Sequence, residues 1–469
     1  MSSAEAEPDP SSTSRWLERH RPDLHPAYLR ELPAARAEIR HRLAEAIARE
    51  QITGYADPAD LLHASGHERF AAEVDNSVAN LALAHATQPR PDGGPPALTR
   101  PATPNWEQLV VDGHPLHPGC RTRTGLTTAD VLAYAPEHRT TVDLVQVEVP
   151  ADRWHTTGAG LPPLLHLHPW QAARVLPEHP ELRPVGTRRA RPLMSLRTLA
   201  PLDDPSLHLK TAVDVQMTSA VRTVSPAALA NGPTLTALLA SLEPALTVLR
   251  ELAGGAVRTT DGEPDRRLAV IHRQAPPAHA IPLAALSAPS PADGAPLARE
   301  AVRLGYGGDP RPFLADLTRV LVTGPHQLLD LGVGLEAHGQ NTLVTFSGGR
   351  PDRLYYRDVG GIRVDPDVLR RKGIAPPPLH GDLTAADPDE PETTLHAALT
   401  VVLGQLVATL AGATGTAPAE LWAACARTAG DRLTRRDTLP IKATTTMRLA
   451  ADPLEPRWAY VPNPLADHR

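Results

Sequence analysis

The chain has 469 residues, enough for two or three domains and for an apolar core that encloses a deep pocket. Its formal net charge is -6, which argues against a general binding surface for nucleic acid. The two cysteines, Cys120 and Cys425, lie far apart and outside any CxxC pair, so neither a disulfide framework nor a zinc site is expected.

The N-terminal segment predicts where the protein works. MSSAEAEPDPSSTS is polar and acidic, without the basic and apolar regions of a secretory signal. We find no uninterrupted apolar run that is long enough to span a bilayer. The sequence therefore predicts a cytoplasmic protein with no membrane contact.

Helical periodicity dominates the first hundred residues. Apolar residues recur at three- and four-residue spacing over residues 26–50, and a second helical stretch is predicted over 59–86. Residues 87–104 are dense in proline and glycine, which is typical of a linker. We therefore predict a helical N-terminal domain, including its linker, over residues 1–104.

The middle of the chain has the pattern of a sheet. Short β-like runs bounded by proline, glycine or aspartate recur between residues 142 and 272. If LHLKTAVDV is one strand, His208 and Lys210 lie on one face and Leu209 on the other, so the polar face can meet a ligand. These features predict a sheet-containing domain over residues 105–300.

The C-terminal part, residues 301–469, begins with a helical pattern. It continues through two predicted strands around Glu336 and Tyr356 and ends in predicted helices over 392–410 and 418–433. This order of elements predicts an α+β domain. The fold class expected for the whole chain is therefore α+β.

The first group of polar residues is the segment GHPLHPGCRTRTG, residues 113–125. Two histidines and two arginines lie around two prolines that restrict the backbone. Arg121 and Arg123 share a side if the segment is extended, and such cations suit a triphosphate or a carboxylate. A basic surface loop without a ligand explains this segment equally well.

The segment HLHPWQ, residues 166–171, ends a predicted strand and begins a helix, with Pro169 in the first turn. The N–H groups at such a helix start can hold an anion. A capped strand-to-helix turn without a ligand fits the same residues. The segment leaves both interpretations open.

A second group combines cations and hydroxyls on predicted strand ends and the turn between them. Its members are Ser195, Arg197, Lys210, Thr218, Ser219 and Arg222. These are the side chains that a polyphosphate site requires. Any one of the cations alone is better explained by a surface salt bridge, whereas the set as a whole favours a phosphate site.

The third group is carried by EAHGQN and by YYRDVGG further along the chain. On an extended strand, Glu336, His338 and Gln340 point the same way, and strand pairing brings them and Asn341 near Asp358. Carboxylate and amide oxygens are ligands for the Mg²⁺ that bridges nucleotide phosphates. A polar hairpin without a metal is the alternative.

The order and spacing of these segments resemble the NRPS-independent siderophore (NIS) synthetases, the IucA/IucC family. The matching segments are GHPLHPGCRTRTG, LHPWQ, SLRTL, LKTAVDVQMTSAVR, EAHGQN, YYRDVGG and IKATTTMRL. The resemblance implies a hand-like fold of helical thumb, fingers and palm, with ATP between fingers and palm. It also implies Mg²⁺-dependent adenylation of citrate or a related polycarboxylic acid, condensation with an amine or alcohol, and a homodimer.

The resemblance also assigns candidate site residues. The ATP contacts would be His117, Arg123, Ser195, Arg197, Lys210, Thr218, Arg222, Gln340, Asn341 and Asp358. The metal would be held by Glu336, Gln340 and Asp358. The acid would be held by Thr218, Arg222, His338 and Arg448. Among these, the catalytic candidates are Lys210, Arg222 and His338.

The chain departs from the family in two respects. Arg121 stands where a lysine is usual, and the chain is shorter than typical members in the thumb and at the C-terminal end. Two other functions stay open. A kinase-like phosphotransferase is suggested by HGQN followed by the distant Asp358, although no glycine-rich loop with a following lysine precedes these residues. The second alternative function is that of a non-catalytic protein that binds nucleotide or acid.

Overall fold

The computed structural model describes residues 7–101, 105–218, 220–453 and 455–468. The N-terminal part forms α1 (Pro10–His20), α2 (His25–Arg49), α3 (Pro58–His63) and α4 (Glu68–Ala86). The predicted helix over 26–50 is confirmed by α2. The predicted helix over 59–86 is interrupted between α3 and α4, where Gly66 takes a φ of 88°, a left-handed conformation that favours glycine.

The middle part alternates strands with short helices. Its elements are β1 (Arg123–Thr124), α5 (Thr128–Tyr134), β2 (Val142–Glu148), β3 (Trp154–Gly158), β4 (Leu164–Leu167), α6 (Pro169–Val175), β5 (Arg183–Pro192), β6 (Thr198–Pro201), β7 (Leu207–Thr211), β8 (Val213–Met217), β9 (Ala220–Arg222), α7 (Pro226–Ser241), β10 (Thr247–Val248), β11 (Glu251–Arg258), β12 (Pro264–Gln274) and β13 (Ile281–Pro282). The main sheet is antiparallel, with the order β3-β11-β12-β7-β6-β5-β2-β4.

The sequence predicts one strand over LHLKTAVDV, but the structure forms two strands there. The first, β7, belongs to the main sheet, where Lys210 lies opposite Ile271 on β12. The second, β8, pairs with β1 and β9 in a separate small sheet. The chain passes from one sheet to the other at Ala212, which is fully buried. The alternation of residue types in the sequence continues across this position, so it does not reveal the end of β7.

The C-terminal part begins with two helices and then combines short strands with further helices. Its elements are α8 (Leu297–Tyr306), α9 (Pro310–Leu329), β14 (Val333–Gly334), β15 (Thr342–Ser347), β16 (Arg350–Tyr356), β17 (Arg363–Val364), α10 (Pro366–Arg371), α11 (Glu390–Thr414), α12 (Pro418–Ala429), α13 (Asp431–Thr434), β18 (Thr438–Lys442), α14 (Thr444–Leu449) and β19 (Trp458–Pro462). Strands β10, β16, β15 and β13 pair in that order.

The predicted strand around Glu336 is wrong. Residues 336–341 form a tight turn, in which the N–H groups of Asn341 and Thr342 both donate to the carbonyl of His338, at 3.0 and 3.1 Å. Strand β15 begins only at Thr342. The side chains of this segment therefore do not alternate as they would on a strand.

Helix α11 is long and apolar enough to cross a membrane by length and composition, with a mean hydropathy of 1.7 over its most apolar stretch, contrary to the sequence expectation. In this fold the helix packs against α9 and α12. Leu395, Leu399 and Leu403 on it are buried in the C-terminal core. Its apolar composition is therefore explained by core packing.

The apolar cores cross the positions at which domain boundaries are predicted. Ala97 and Trp106 pack in one cluster with the C-terminal helices, and the N-terminal helices share another cluster with Leu126 and Val131. Helix and sheet are mixed as predicted for an α+β fold. The boundaries at 104 and 300, and the hand-like division, stay predictions.

Candidate active site

A cluster of buried charges lies where the two larger sheets meet. Lys210 on β7 is 5% exposed, and its Nζ lies 3.0 and 2.9 Å from Oδ1 and Oδ2 of Asp358. Asp358 follows β16 with a φ of 72°, and its Oδ1 also accepts from the N–H of Gly360 at 3.1 Å. The pair therefore links the main sheet to the C-terminal part.

Arg197, Arg222 and Arg273 surround this pair. Arg197 donates to the carbonyl of Thr223 at 2.7 Å, and Nη1 of Arg273 lies 4.0 Å from Oδ2 of Asp358. Burial, together with the neighbouring Arg222, lowers the pKa of Arg197 to about 10, and burial also lowers the pKa of Arg222 and Arg273. Holding these cations together costs free energy that an anionic ligand offsets.

The neighbouring cations also change the pKa of Asp358, and their effect opposes that of burial. Burial by itself raises the pKa of this carboxyl, but Lys210 and Arg273 outweigh burial and hold its pKa well below the usual range. Asp358 is therefore ionised at neutral pH. An ionised carboxylate is available as a metal ligand.

Glu336 faces the cluster from the turn that follows β14. Its Oε1 lies 3.3 Å from Nζ of Lys442, and its Oε2 lies 4.0 Å from Nε2 of His338. A Cβ at position 361 would lie 2.1 Å from Oε2 of Glu336, so a larger residue at Gly361 would displace this carboxylate. The YYRDVGG segment thus makes room for the carboxylate of EAHGQN.

The ring of His338 is oriented by its own turn. The N–H of Gln340 donates to Nδ1 of His338 at 3.2 Å, which places the proton of the neutral ring on Nε2. The N–H of Gly119 fixes His117 in the same way, at 2.8 Å. Burial lowers the pKa of both histidines, that of His117 to about 3, so both rings are neutral at pH 7.

The turn that carries Gln340 and Asn341 is held by a buried ion pair. The Arg357 guanidinium donates to the Gln340 carbonyl at 2.8 Å, and the backbone N–H of Arg357 donates to the Asn341 carbonyl at 3.0 Å. Glu107 accepts from the same guanidinium at 2.6 and 2.9 Å. These contacts fix the turn at the edge of the cluster.

Two further turns border the cluster. Ser195 donates its hydroxyl to Thr198 at 2.8 Å, just before Arg197. Thr218 takes a φ of 59°, and its N–H donates to the carbonyl of Thr122 at 3.1 Å. Ser219, the remaining hydroxyl predicted for a phosphate site, lies outside the described residues.

The structure does not bring Arg123 and Arg448 into this cluster. Arg123 is buried and forms an ion pair with Glu137, with N–O distances of 2.5 and 2.9 Å. Arg121 lies 3.4 Å from the same carboxylate. Arg448 on α14 donates from Nε to Glu73 of α4 at 2.9 Å. The Arg448 guanidinium therefore connects α14 to the N-terminal helix α4, whereas Arg121 and Arg123 pair within the middle part of the chain.

The HLHPWQ segment forms a capped turn, and both of its interpretations stay open. His168 caps α6, because its Nδ1 accepts from the N–H of Trp170 at 3.2 Å. The side chain of Gln171 accepts from the N–H of Asp214 at 2.9 Å. The start of α6 is therefore capped by its own side chain, whereas His166 Nδ1, His168 Nε2 and Trp170 Nε1 are buried without a hydrogen-bond partner among the described residues.

Sequence reasoning missed Glu251, Arg273 and Lys442 as members of the site. Glu251 and Arg273 lie opposite each other on β11 and β12, and both are almost fully buried. Glu251 and Arg273 could have been recognised as candidates, because each is a charged residue at the end of an apolar run, in RELAGGAV and LAVIHRQ. Lys442 stood inside the quoted segment IKATTTMRL.

The donor set fits Mg²⁺ through its carboxylates. Glu336 and Asp358 both act electrostatically on Arg222, so they face the same space. Over residues 7–101, 105–218, 220–453 and 455–468, no group of three or more His, Cys, Asp or Glu side chains is already arranged around one metal position. Each carboxylate would exchange a lysine partner for the ion.

Two family models match the chain. The model described as "IucA / IucC family" matches residues 102–161 and 163–288, and the model described as "Ferric iron reductase FhuF-like transporter" matches residues 317–469. Staphyloferrin A synthase of Staphylococcus aureus is 28% identical over 316 residues, covering 57% of this chain and 54% of the relative. D-ornithine--citrate ligase of the same organism is 27% identical over 327 residues, covering 55% and 50%. The chain spans about half the length of the curated relatives it matches.

Solved structures share the fold over most of the chain. The petrobactin biosynthesis protein AsbB from Bacillus anthracis has a TM-score of 0.79 at 17% identity, covering 95% of this chain and 98% of that one. ATP-bound aerobactin synthetase IucA from Klebsiella pneumoniae has a TM-score of 0.70 at 19% identity, covering 92% and 86%. The fold is thus that of siderophore biosynthesis proteins. The match of residues 102–161 and 163–288 to the IucA/IucC family model, together with these homologues, confirms the resemblance to the NIS synthetases.

Proposed function

We propose that this chain is an AMP-forming ligase that adenylates a carboxylate of citrate or a related polycarboxylic acid and condenses it with an amine or alcohol. The pathway would be that of a siderophore or a related natural product. The observation that carries the proposal is the cluster of the buried Lys210 and Arg273 with the half-buried Arg197 and Arg222, beside two carboxylates. The names of the relatives, which are synthases and ligases, support it.

Phosphate binding is the task that the cations perform. Arg222 is only weakly committed, because its Nη2 lies 3.5 Å from the carbonyl of Met217, the limit of a hydrogen bond. As the acid attacks the α-phosphorus, negative charge grows on the phosphate oxygens, and Arg222 and Lys210 stabilise that charge. Pyrophosphate then leaves, and AMP is displaced by the amine or alcohol. The ATP-bound state of aerobactin synthetase IucA supports ATP as the nucleotide.

The acid is positioned by neutral donors as well as by charge. His338 donates from Nε2, the nitrogen that carries the proton in the tautomer fixed by Gln340. A neutral donor orients a carboxylate without reducing its nucleophilicity as strongly as a full positive charge. His338 therefore suits the carboxylate that is to be activated.

Mg²⁺ would be held by Glu336 and Asp358, with the side-chain oxygen of Gln340 as a further candidate. When bound, the ion neutralises phosphate oxygens. We expect the Asp358→Asn variant to need a higher Mg²⁺ concentration for half-maximal pyrophosphate release, because one ligand loses its charge. The measurement is a Mg²⁺ titration of that rate.

Asp352→Asn is the matched control for that titration, because Asp352 is exposed on the preceding strand β16. It should titrate as the unchanged protein does. Full activity of the unchanged protein in excess chelator contradicts the metal assignment.

The acid and the nucleophile are identified by a direct screen. Purified protein is incubated with ATP, Mg²⁺ and a panel of di- and tricarboxylic acids, with hydroxylamine as a surrogate nucleophile. The acid that is activated is recovered as its hydroxamate. Candidate amines and alcohols then replace hydroxylamine, and product masses identify the natural acceptor. If no acid yields a hydroxamate together with AMP, the ligase proposal is wrong.

Two further proposals rest on the family resemblance. The protein would act in the cytoplasm, where ATP and polycarboxylic acids are available, and it would form a homodimer. Sedimentation of the purified chain tests the second proposal directly.

A further inference from the structure

Glu251 is a buried carboxylate with an incomplete set of partners. It is 2% exposed at the start of β11, and its Oε1 lies 3.6 Å from Nζ of Lys210, beyond a hydrogen bond. Across the part of the chain that the structure describes, no donor is hydrogen-bonded to that oxygen. Burying such an oxygen without a donor is costly, so its position requires an explanation.

The charge of Lys210 does not explain why Glu251 is buried here, because another carboxylate already neutralises this lysine. Asp358 already accepts from Lys210 with both oxygens, at 3.0 and 2.9 Å. A lysine has three N–H donors on a flexible stem, so its ammonium moves easily between neighbouring acceptors. A shift of about 0.7 Å brings Nζ from 3.6 Å to a charge-assisted hydrogen bond with Oε1 of Glu251.

Helix α7 anchors the backbone of Glu251 and leaves room for its carboxylate. The N–H of Glu251 donates to the hydroxyl of Thr236 at 3.0 Å. A Cβ at Gly232 would lie 2.0 Å from Oε2 of Glu251, so the absence of a side chain there makes room for the carboxylate. Of the two partners, Lys210 has the longer and more flexible side chain, so it is the one that moves.

We propose that Glu251 is the second anchor of Lys210. When Asp358 takes up the metal that accompanies the nucleotide, Lys210 passes from Asp358 to Glu251 and stays charged and correctly placed against the phosphates. Glu251 is a positioning residue that acts through Lys210. This inference rests on the proposed function, because it requires a nucleotide with its metal at Asp358.

The test compares Glu251→Gln with the unchanged protein in two binding titrations without acid substrate. Calorimetry measures ATP affinity in the presence of Mg²⁺ and, separately, in excess chelator. We expect Mg²⁺–ATP to bind about tenfold more weakly to the variant, because a hydrogen bond to a charged group is lost. Affinity for metal-free ATP should change by less than about twofold, because Asp358 still anchors Lys210.

Two other variants complete the test. Glu300→Gln is the matched control, because Glu300 is also 2% exposed but lies at α8, where the Leu98 N–H donates to it. It should leave both affinities unchanged. Glu251→Asp keeps the charge one carbon further from Lys210, so we expect it to recover part of the lost Mg²⁺–ATP affinity. Thermal unfolding of Glu251→Gln without nucleotide should match that of the unchanged protein, because the free protein has no hydrogen bond there to lose.

The outcomes separate this inference from the proposed function. Equal loss of both affinities, or no loss of either, would overturn the exchange of Lys210 while leaving the ligase proposal intact. A marked fall in the unfolding temperature of Glu251→Gln without nucleotide would mean a structural role and would also overturn it. If the unchanged protein shows no Mg²⁺-linked ATP binding, the proposed function and this inference both fail.

Discussion

Replacing Arg222 by alanine is expected to lower acid-dependent pyrophosphate release by about 10²–10³-fold, because one preorganised charge contact to the reacting groups is lost. The fold should be unaffected. Burial penalises this guanidinium, and its hydrogen bond to the Met217 carbonyl is at the distance limit. The nearby carboxylates keep their own lysine partners, Lys442 for Glu336 and Lys210 for Asp358. Removing Arg222 therefore leaves neither of them unpaired.

The control for Arg222 is Arg188→Ala. Arg188 pairs with Asp203 at 2.9 Å on the main sheet, outside the charge cluster. This variant should release pyrophosphate at the normal rate. A normal rate for Arg222→Ala, measured at saturating ATP and acid, contradicts the role of Arg222 in the reaction.

Lys210→Ala is expected to lose activity on the same scale and also stability. The sequence alone predicts that this variant keeps its fold. The structure corrects that expectation, because Lys210 lies buried between Asp358 and Glu251, at 2.9 and 3.6 Å. Removing one partner of a buried pair typically costs about 3–5 kcal/mol. Denaturant unfolding of the variant, beside its pyrophosphate assay, measures both effects.

A double variant separates the two effects of Lys210. Lys210→Met combined with Glu251→Gln removes the ammonium and one buried carboxylate together, so part of the lost stability should return. Activity should not return, because no cation remains at position 210. A Lys210→Ala variant that unfolds at the same denaturant concentration as the unchanged protein contradicts this explanation of the cluster.

The sequence identified part of the cluster on each side and missed Arg273 and Lys442 among the cations and Glu251 among the carboxylates. Arg197, Lys210 and Arg222 stand out because they interrupt apolar runs at strand ends and turns. Asp358 stands out within YYRDVGG. Glu251 does not, because its relation to Lys210 depends on the pairing of β11, β12 and β7, and strand register across a sheet cannot be read from one chain segment.

The turn at residues 336–341 shows why alternation misleads over short distances. Glu336, His338 and Gln340 alternate with other residues as on a strand, yet the carbonyl of His338 closes a turn with two following N–H groups. Six residues are too few to separate a strand from such a turn. The same residues still lie together, because Arg357 holds the turn beside Asp358.

Arg123 and Arg448 illustrate a different limit. Basic residues inside a recognisable motif are natural candidates for an anionic substrate. In this fold Arg123 pairs with Glu137, which lies 14 residues further along the chain, and Arg448 pairs with Glu73, which lies 375 residues before it. Nothing in the local sequence reveals such partners, since tertiary contacts alone bring them together.

The fate of ATP tests the central claim most directly. The purified chain is supplied with Mg²⁺, radiolabelled ATP and the acid found in the hydroxamate screen, and the nucleotide products are separated. We predict AMP and pyrophosphate in equal amounts, formed only when the acid is present. Formation of ADP and phosphorylated acid instead would contradict adenylation and would identify the chain as a phosphotransferase.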